Sequence, residues 1–454
     1  MSNFRPINRD TGFLLPPSVD EWLPQRHLAR FVVEVIDGLD LSELVKAYRG
    51  SGVASYHPAM LLGLLVYGYA TKTFSSRAIE RATHDSVAFR YIAGNEHPDH
   101  DTIATFRKRF LPQIAALFVE VLKLARALGM LKLGTVALDG TKVHANASRH
   151  SALSWGHAKK IEKQLKREVK QLLYLAEAAD GVNIPDGMSI PEELEHRELR
   201  LAAITAAKAK IQARCAERLE REQAEHQSKM AARTEKEKRT GKKSGGRPPA
   251  PPTGGVKDTD QVNLTDDESR IMKITGGSFE QCYNAQAVVA AGSLLIVAAE
   301  VTQAGNDKEQ LLPMIEKVQG LPEELGRAKR ILADHGYFSQ ANIEGCEAAK
   351  IEPLIAMGRA QQHHLSWKQR FAAAPQAPPE SATALEKMAY RLKTPRGKKL
   401  YGLRKQTPEP VFGIIKSIMG YRQCLLRGLE NVKGEWNLVT MSWNIKRMFA
   451  MQPC

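Results

Sequence analysis

Strand-forming runs stand on both sides of a long, charged, helix-forming stretch, and this interruption restricts the folds open to the chain more than any other feature. "TVALDGTKVHANAS" (135–148) comes before the stretch; "CYNAQAVVAAGSLLIVAAEVTQ" (282–303), "RILADHGYF" (330–338) and "EPLIAM" (352–357) come after it. Short runs rich in Val, Ile, Leu and Ala, bounded by Gly, Asn and Asp, read as strands, and isolated short strands are not stable. The runs therefore belong to one sheet assembled around an insert. Residues 282–303 turn at Ala-Gly-Ser (291–293) as a hairpin, and "DKEQLLPMIEKVQ" (307–319) is helical in composition with Asp307 at its start. Strands in a meander, then strands alternating with helices, give a mixed α/β sheet with flanking helices.

The insert spans 155–270. Its first half carries two helices. Ile161, Leu165, Val169, Leu172 and Ala176 form an apolar stripe on the first, and Ser189 with Glu192 forms a capping box opening the second. Its second half, "KMAARTEKEKRTGKKSGGRPPAPPTGG" (229–255), has eight Lys and Arg against two Glu, followed by Gly and Pro. Such a composition buries too little apolar surface to order itself, so a mobile basic linker is expected at about 226–257.

Residues 20–130 read as helical throughout. The last piece, "TIATFRKRFLPQIAALFVEVLKLARALGM", begins at Asp101 as N-cap and puts Arg107, Lys108 and Arg109 near one end. A compact helical domain with a basic end, here 1–130, is a candidate DNA-binding module. The whole-chain balance points the same way: 65 Lys and Arg against 50 Asp and Glu give +15 and a pI near 9.5. That excess implies a polyanionic partner, either nucleic acid or an anionic membrane surface. The five cysteines contain no C-x-x-C pair, which argues against a zinc ribbon or a disulfide framework. The N-terminal residues lack a signal-peptide layout. The apolar run 59–70 is too short to span a bilayer and reads as a buried helix. A soluble, cytoplasmic protein is expected.

Three acids stand where a strand or helix ends. Asp139 ends "TVAL", Asp334 ends "RILA", and Glu409 lies in "TPEPVFGIIK", where Thr407 caps and Pro408 occupies the first helical turn. Phosphodiester cleavage or transfer needs an activated oxygen nucleophile and neutralised charge at the leaving oxygen, which two divalent ions supply together. Mg²⁺ or Mn²⁺ prefers carboxylate oxygens. Removing 155–270 leaves about 80 residues between the two aspartates, enough for a hairpin, a third strand, a crossover helix and a fourth strand.

At these residues the sequence resembles the DDE transposases of bacterial insertion sequences. The resemblance runs through "HPAMLLGLLVYGYATKTFSSRAIE", "PDHDTIATFRKRF", "LDGTKVHANAS", "DDESRIMK", "VTQAGNDKEQLLPM", "ADHGYF" and "LYGLRKQTPEPVFGIIK". It implies an RNase H-like mixed sheet with flanking helices (131–154 and 271–454), interrupted by the helical insert 155–270 and preceded by the all-α domain. It also implies Asp139, Asp334 and Glu409 as catalytic, metal-binding acids using two Mg²⁺ or Mn²⁺ ions. The family signature Tyr-x2-Arg-x3-Glu-x6-Lys is met by Tyr401, Arg404, Glu409 and Lys416, with four residues rather than three between Arg and Glu. Glu430 and Glu435 are the alternative third acids. The signature implies that Tyr401, Arg404 and Lys416 hold the DNA backbone. His335 is placed to assist proton transfer or to serve the structure alone, while His97 and His100 lack the further ligands of a zinc site. The implied activity is binding of an element's terminal inverted repeats, metal-dependent cleavage there and strand transfer into target DNA. Double-stranded DNA would be the partner, no membrane would be involved, and a homodimer or higher assembly, nucleoid-associated, is expected. The competing readings are a transposase-derived DNA-binding protein that no longer cuts, and a nuclease of the same fold that does not join.

Overall fold

The computed structural model describes residues 18–48, 55–177, 190–241, 243, 245–274, 276–358, 376–379 and 381–452. The described residues form two compact units, one drawn from the chain up to Asn146 and from Met272 onward, the other from Ala147–Ile271.

The first unit opens with helices α1 (Leu28–Asp37), α2 (Ser42–Lys46), α3 (Pro58–Ala70), α4 (Ser76–Asp85), α5 (Val87–Ile92) and α6 (His100–Ala127). The apolar run 59–70 is the buried helix its length suggests: α3 is covered on nearly all sides. A Cβ on Gly68 would lie 2.5 Å from the Thr73 carbonyl oxygen, so this close return of the chain requires glycine. Helix α6 is capped by Asp99, not Asp101. The Asp99 carboxylate accepts from the Thr102 amide at 2.8 Å, and Asp101 falls in the first turn. The α6 positions Ile103, Phe106, Arg107, Phe110, Leu111 and Ile114 are all buried, one continuous helical face with an arginine inside it.

Strand β1 (Thr135–His144) follows, and the chain then enters the second unit. There β2 (Ala152–Ser154), α7 (Trp155–Glu177), α8 (Ile190–Thr240) and β3 (Gln261–Asn263) enclose a small core. Leu153, Ala158, Leu165, Ile204, Ala207, Ile211 and Val262 fill it, and β2 pairs antiparallel with β3. The capping box expected at Ser189 lies outside the described residues. Of the linker expected at 226–257, the residues up to Thr240 are helical. Helix α8 continues to Thr240 because its Glu and Lys residues favour helix. The Gly- and Pro-rich chain beyond then runs back along it. Arg233 donates to the Gly246 carbonyl at 3.0 Å, a His226 ring nitrogen lies 3.1 Å from the Pro249 carbonyl, and Gly254 lies against Leu219.

The chain then supplies β4 (Arg270–Lys273), β5 (Phe279–Ala290), β6 (Ile296–Thr302), α9 (Leu311–Gln319), β7 (Arg330–Ala333), α10 (Gln340–Ala348) and β8 (Glu352–Ile355). Among the described residues the helices α11 (Ala384–Lys393), α12 (Pro395–Gln406), α13 (Pro408–Ser417) and α14 (Leu429–Met451) follow. The sheet runs β4-β5-β1-β7-β8, with β6 also paired to β5. β1–β5 and β5–β6 are antiparallel, whereas β1–β7 and β7–β8 are parallel, as a meander followed by crossover helices requires. Helix α14 lies on one face, where Trp436 and Trp443 are buried and donate their indole N–H groups to the carbonyls of Gln286 and Leu294. Helices α11 and α12 cover Ala137, Leu332 and Leu354 with Leu392, Leu400, Tyr401 and Leu403. No described helix is long and apolar enough to cross a membrane.

Candidate active site

Asp139 does not end its strand. It sits midway along β1, opposite Ala287 of β5, because the long β5 continues to pair with β1 as far as His144. What ends beside it is β7. The parallel register stops at Ala137 opposite Leu332, and continuing it by two positions sets Asp139 level with Asp334, the residue after β7. The two acids thus meet at the sheet's centre, where one neighbouring strand terminates and frees space. Asp334 opens a tight turn, and its Oδ1 accepts from the Gly336 amide at 2.8 Å. Asp139 Oδ1 accepts from the Gly140 amide at 2.9 Å. Neither carboxylate's Oδ2 accepts a hydrogen bond among the described residues. Burial pushes the Asp139 carboxyl up to about 7, and the charges of Asp334 and Asp307 add to this. The Gly140 amide and Arg404 oppose it.

Glu409 enters through Arg404. The α12 guanidinium donates to Glu409 Oε1 at 2.9 Å and lies 3.8 Å from Asp139 Oδ2, linking an acid that is 48% exposed to one that is 19% exposed. Pro408 occupies the first turn of α13 as expected, but Thr407 does not cap with its side chain, since its hydroxyl donates to the Leu403 carbonyl. Tyr401 packs on the sheet beside Arg404, and burial raises its hydroxyl's pKa. Lys416 is turned inward: its ammonium donates to the Lys142 carbonyl at 2.7 Å, and burial lowers its pKa.

Sequence reasoning missed the polar floor of this site. Asp307 lies ahead of α9, which starts at Leu311, and its carboxylate serves the sheet instead of the helix. Its Oδ1 accepts from the side-chain amides of Asn284 and Gln286, both at 2.7 Å, and lies 4.0 Å from the Lys142 ammonium. Gln286 in turn accepts from the Tyr337 hydroxyl. Two buried amides two residues apart in the apolar run "CYNAQAVV" were the available signal, since alternate positions share one face of a strand. These groups also explain Gly140. A Cβ there would lie 2.2 Å from Gln286 Nε2 and 2.7 Å from Asp307 Oδ1.

The remaining sequence candidates lie elsewhere. Arg107, expected at a DNA-contacting surface, is 7% exposed and donates inside the fold to the Tyr69 hydroxyl and the Phe74 carbonyl, because it falls on the buried face of α6. Lys108 and Arg109 are exposed. Arg109 donates to the Ala47 carbonyl and lies over the rings of Tyr48 and Phe110. Glu430 pairs with Lys433 at the surface, and Glu435 is wholly buried with Tyr69, so neither joins Asp139. A His335 ring nitrogen lies 3.2 Å from the Ala356 carbonyl. His97 stacks on His84 and lies 3.2 Å from the Thr83 hydroxyl, and His100 pairs with Glu80. Among the described residues no three His, Cys, Asp or Glu side chains stand close enough together to hold a metal ion as arranged, and Arg404 lies against two of the acids concerned.

Two families match the chain. The one described as Transposase domain (DUF772) covers residues 17–109, and the one described as Transposase DDE domain covers 240–445, which includes Asp334, Arg404 and Glu409. No match was found among curated proteins or among solved structures.

Proposed function

The chain belongs to the DDE transposases of insertion sequences, with the RNase H-like sheet of that family, and from this premise we propose that it binds the terminal inverted repeats of its element, cleaves DNA there and joins the freed 3′ ends to target DNA. The observation that carries the reading is the register that sets Asp139 beside Asp334 at the centre of the sheet, with Glu409 tied to Asp139 through Arg404.

The donor chemistry suits Mg²⁺ or Mn²⁺, although the acids as arranged, with Arg404 against two of them, do not close around one ion. The donors are hard carboxylate oxygens, and Asp139 and Asp334 each have one oxygen without a hydrogen bond. Asp139, Asp334 and Glu409 are the proposed ligands of two ions, which would supply an activated oxygen nucleophile and neutralise the leaving oxygen. Arg404 holds Glu409 toward Asp139 and neutralises both acids while no cation is bound. Tyr401 stiffens α12 against the sheet, so the guanidinium is presented from a fixed helix. Lys416 braces β1 through the Lys142 carbonyl. A phosphate contact by Lys416 would require that bond to open. Lys108 remains available for backbone phosphates, Arg109 would have to leave the Ala47 carbonyl to reach one, and Arg107 supports the helix that presents them. Joining two ends calls for a homodimer or higher assembly on DNA.

The test uses purified full-length protein and duplexes bearing the element's ends, with Mg²⁺ or Mn²⁺. Nicking at the end followed by strand-transfer products is expected, and Asp139→Asn or Asp334→Asn should abolish both while end binding persists. Binding without any cutting by the unaltered protein would favour a DNA-binding remnant. Cutting without joining would favour a nuclease.

A further inference from the structure

Arg404 stands between two of the acids proposed to bind cations. Its guanidinium donates to Glu409 Oε1 at 2.9 Å and lies 3.8 Å from Asp139 Oδ2, the oxygen that does not accept from the Gly140 amide. The arginine is the most enclosed of the three, its side chain 13% exposed. Its Nε is buried and has no hydrogen-bond partner among the described residues. An N–H kept from water without an acceptor is costly, so this pairing with the two acids leaves the guanidinium's donors only partly used. Among the described residues, no three acids close around one ion while Arg404 holds this place.

We infer that Arg404 is an electrostatic latch: it competes with a divalent cation for Asp139 and Glu409, and a phosphate of the DNA backbone releases it from them. This inference rests on the metal-dependent reading proposed above. A positive charge already shared by two carboxylates opposes a second one on the same oxygens, so a cation reaches these acids only against the guanidinium. A phosphate reverses that balance. Its oxygens accept from Nε and a neighbouring Nη together, which satisfies the buried donor and turns the guanidinium toward DNA. Leu400, Tyr401 and Leu403 pack α12 on the sheet, so the release needs a movement of the side chain and not of the helix. DNA and cation then strengthen each other's binding by the same factor. The centre is thereby kept from taking up its cations until DNA lies on it. The alternative is a tie that merely fixes Glu409, in which case losing Arg404 loosens that acid and weakens cation binding.

The two roles give opposite signs for Mn²⁺ binding by the full-length protein without DNA, read by electron paramagnetic resonance. Arg404→Ala is expected to bind Mn²⁺ about 10-fold more tightly than the unaltered protein, and adding Asp139→Asn should remove that gain. Lys405→Ala removes the same charge from an exposed side chain one residue on, and should stay within about twofold of the unaltered protein. With saturating end-bearing duplex, and protein-free duplex as the blank, the unaltered protein should tighten to within about twofold of Arg404→Ala. Four results would each overturn the latch and leave the parent reading standing: equal or weaker binding by Arg404→Ala, a gain that survives Asp139→Asn, an equal gain from Lys405→Ala, or an undiminished gap on DNA. Absence of Mn²⁺ binding by every form, with and without DNA, would overturn both. Should Arg404→Ala fail to fold, judged by thermal unfolding in chelator, Arg404→Gln carries the same expectation, because glutamine keeps an N–H donor without the charge.

Discussion

Two acids in the same unit, the partly buried Asp139 and the fully buried Glu435, are both raised in pKa by burial, and the molecule treats them in opposite ways. Glu435 is saturated. Its oxygens accept from the Tyr69 hydroxyl at 2.8 Å and from the amides of Leu425 and Leu426 at 3.0–3.2 Å, and Arg107 supports Tyr69 from the far side. Asp139 receives one amide and a guanidinium 3.8 Å away, with two further aspartates adding to its charge. A buried acid with every lone pair used is a cross-tie; one left partly open beside like charges keeps room for a cation.

The widest separation between the two should come from exchanging their defects. Asp139→Asn is expected to lower end cleavage about 10³-fold with unfolding free energy unchanged or raised. Glu435→Ala should cost about 3 kcal/mol in denaturant titration while cleavage per folded molecule stays near normal. A loss of stability at Asp139, or of chemistry at Glu435, would break the distinction. Next in size is Arg404→Ala, expected to lower cleavage about 10- to 100-fold by releasing Glu409. Adding Glu409→Gln to it should cost less than Glu409→Gln costs alone, and full additivity would mean that the pair does not act together. The smallest effect is on pH dependence. The folded-state value of about 7 for Asp139 lies above the ordinary 3.8, so the folded form holds a proton that the unfolded chain releases. That stability is complete below the unfolded value and is lost as pH rises through about 7. In chelator, melting temperatures from pH 5 to 8 should therefore show the unaltered protein losing ground to Asp139→Asn as pH rises, by a few degrees. A flat difference would mean that Asp139 is better solvated than its burial implies.

Much of this was legible in the residues, and the errors have physical causes. The strands announced themselves through apolar runs, and Asp334 stands at a strand end as expected. Asp139 was found for a reason that the structure replaces: its strand continues, and the opening beside it comes from β7 stopping, which only the register reveals. Arg107 stands among basic neighbours that suggest a surface, although its spacing of four from Ile103 and three from Phe110 already puts it on the buried face. Asp307, Asn284 and Gln286 escaped notice because each has an ordinary local explanation, a helix start or a strand interior. Their convergence depends on the β5–β6 pairing that returns the chain to Asp307. At 226–257 composition points to a linker but says nothing of the helix that runs to Thr240 or of the contacts Arg233 and His226 make with Gly246 and Pro249.

The short pairing of β2 with β3 has a consequence for how the chain folds. β1 and β5 must find each other across roughly 130 intervening residues, and bringing such distant ends together is costly in chain entropy. Once Ala152–Ser154 has zipped to Gln261–Asn263, the span still to be closed shrinks to roughly 25 residues, which lowers that cost by about 1.5 kcal/mol. The interruption that makes the sheet discontinuous in sequence is thus its own clasp: the insert folds locally and hands the central strands to each other at short range.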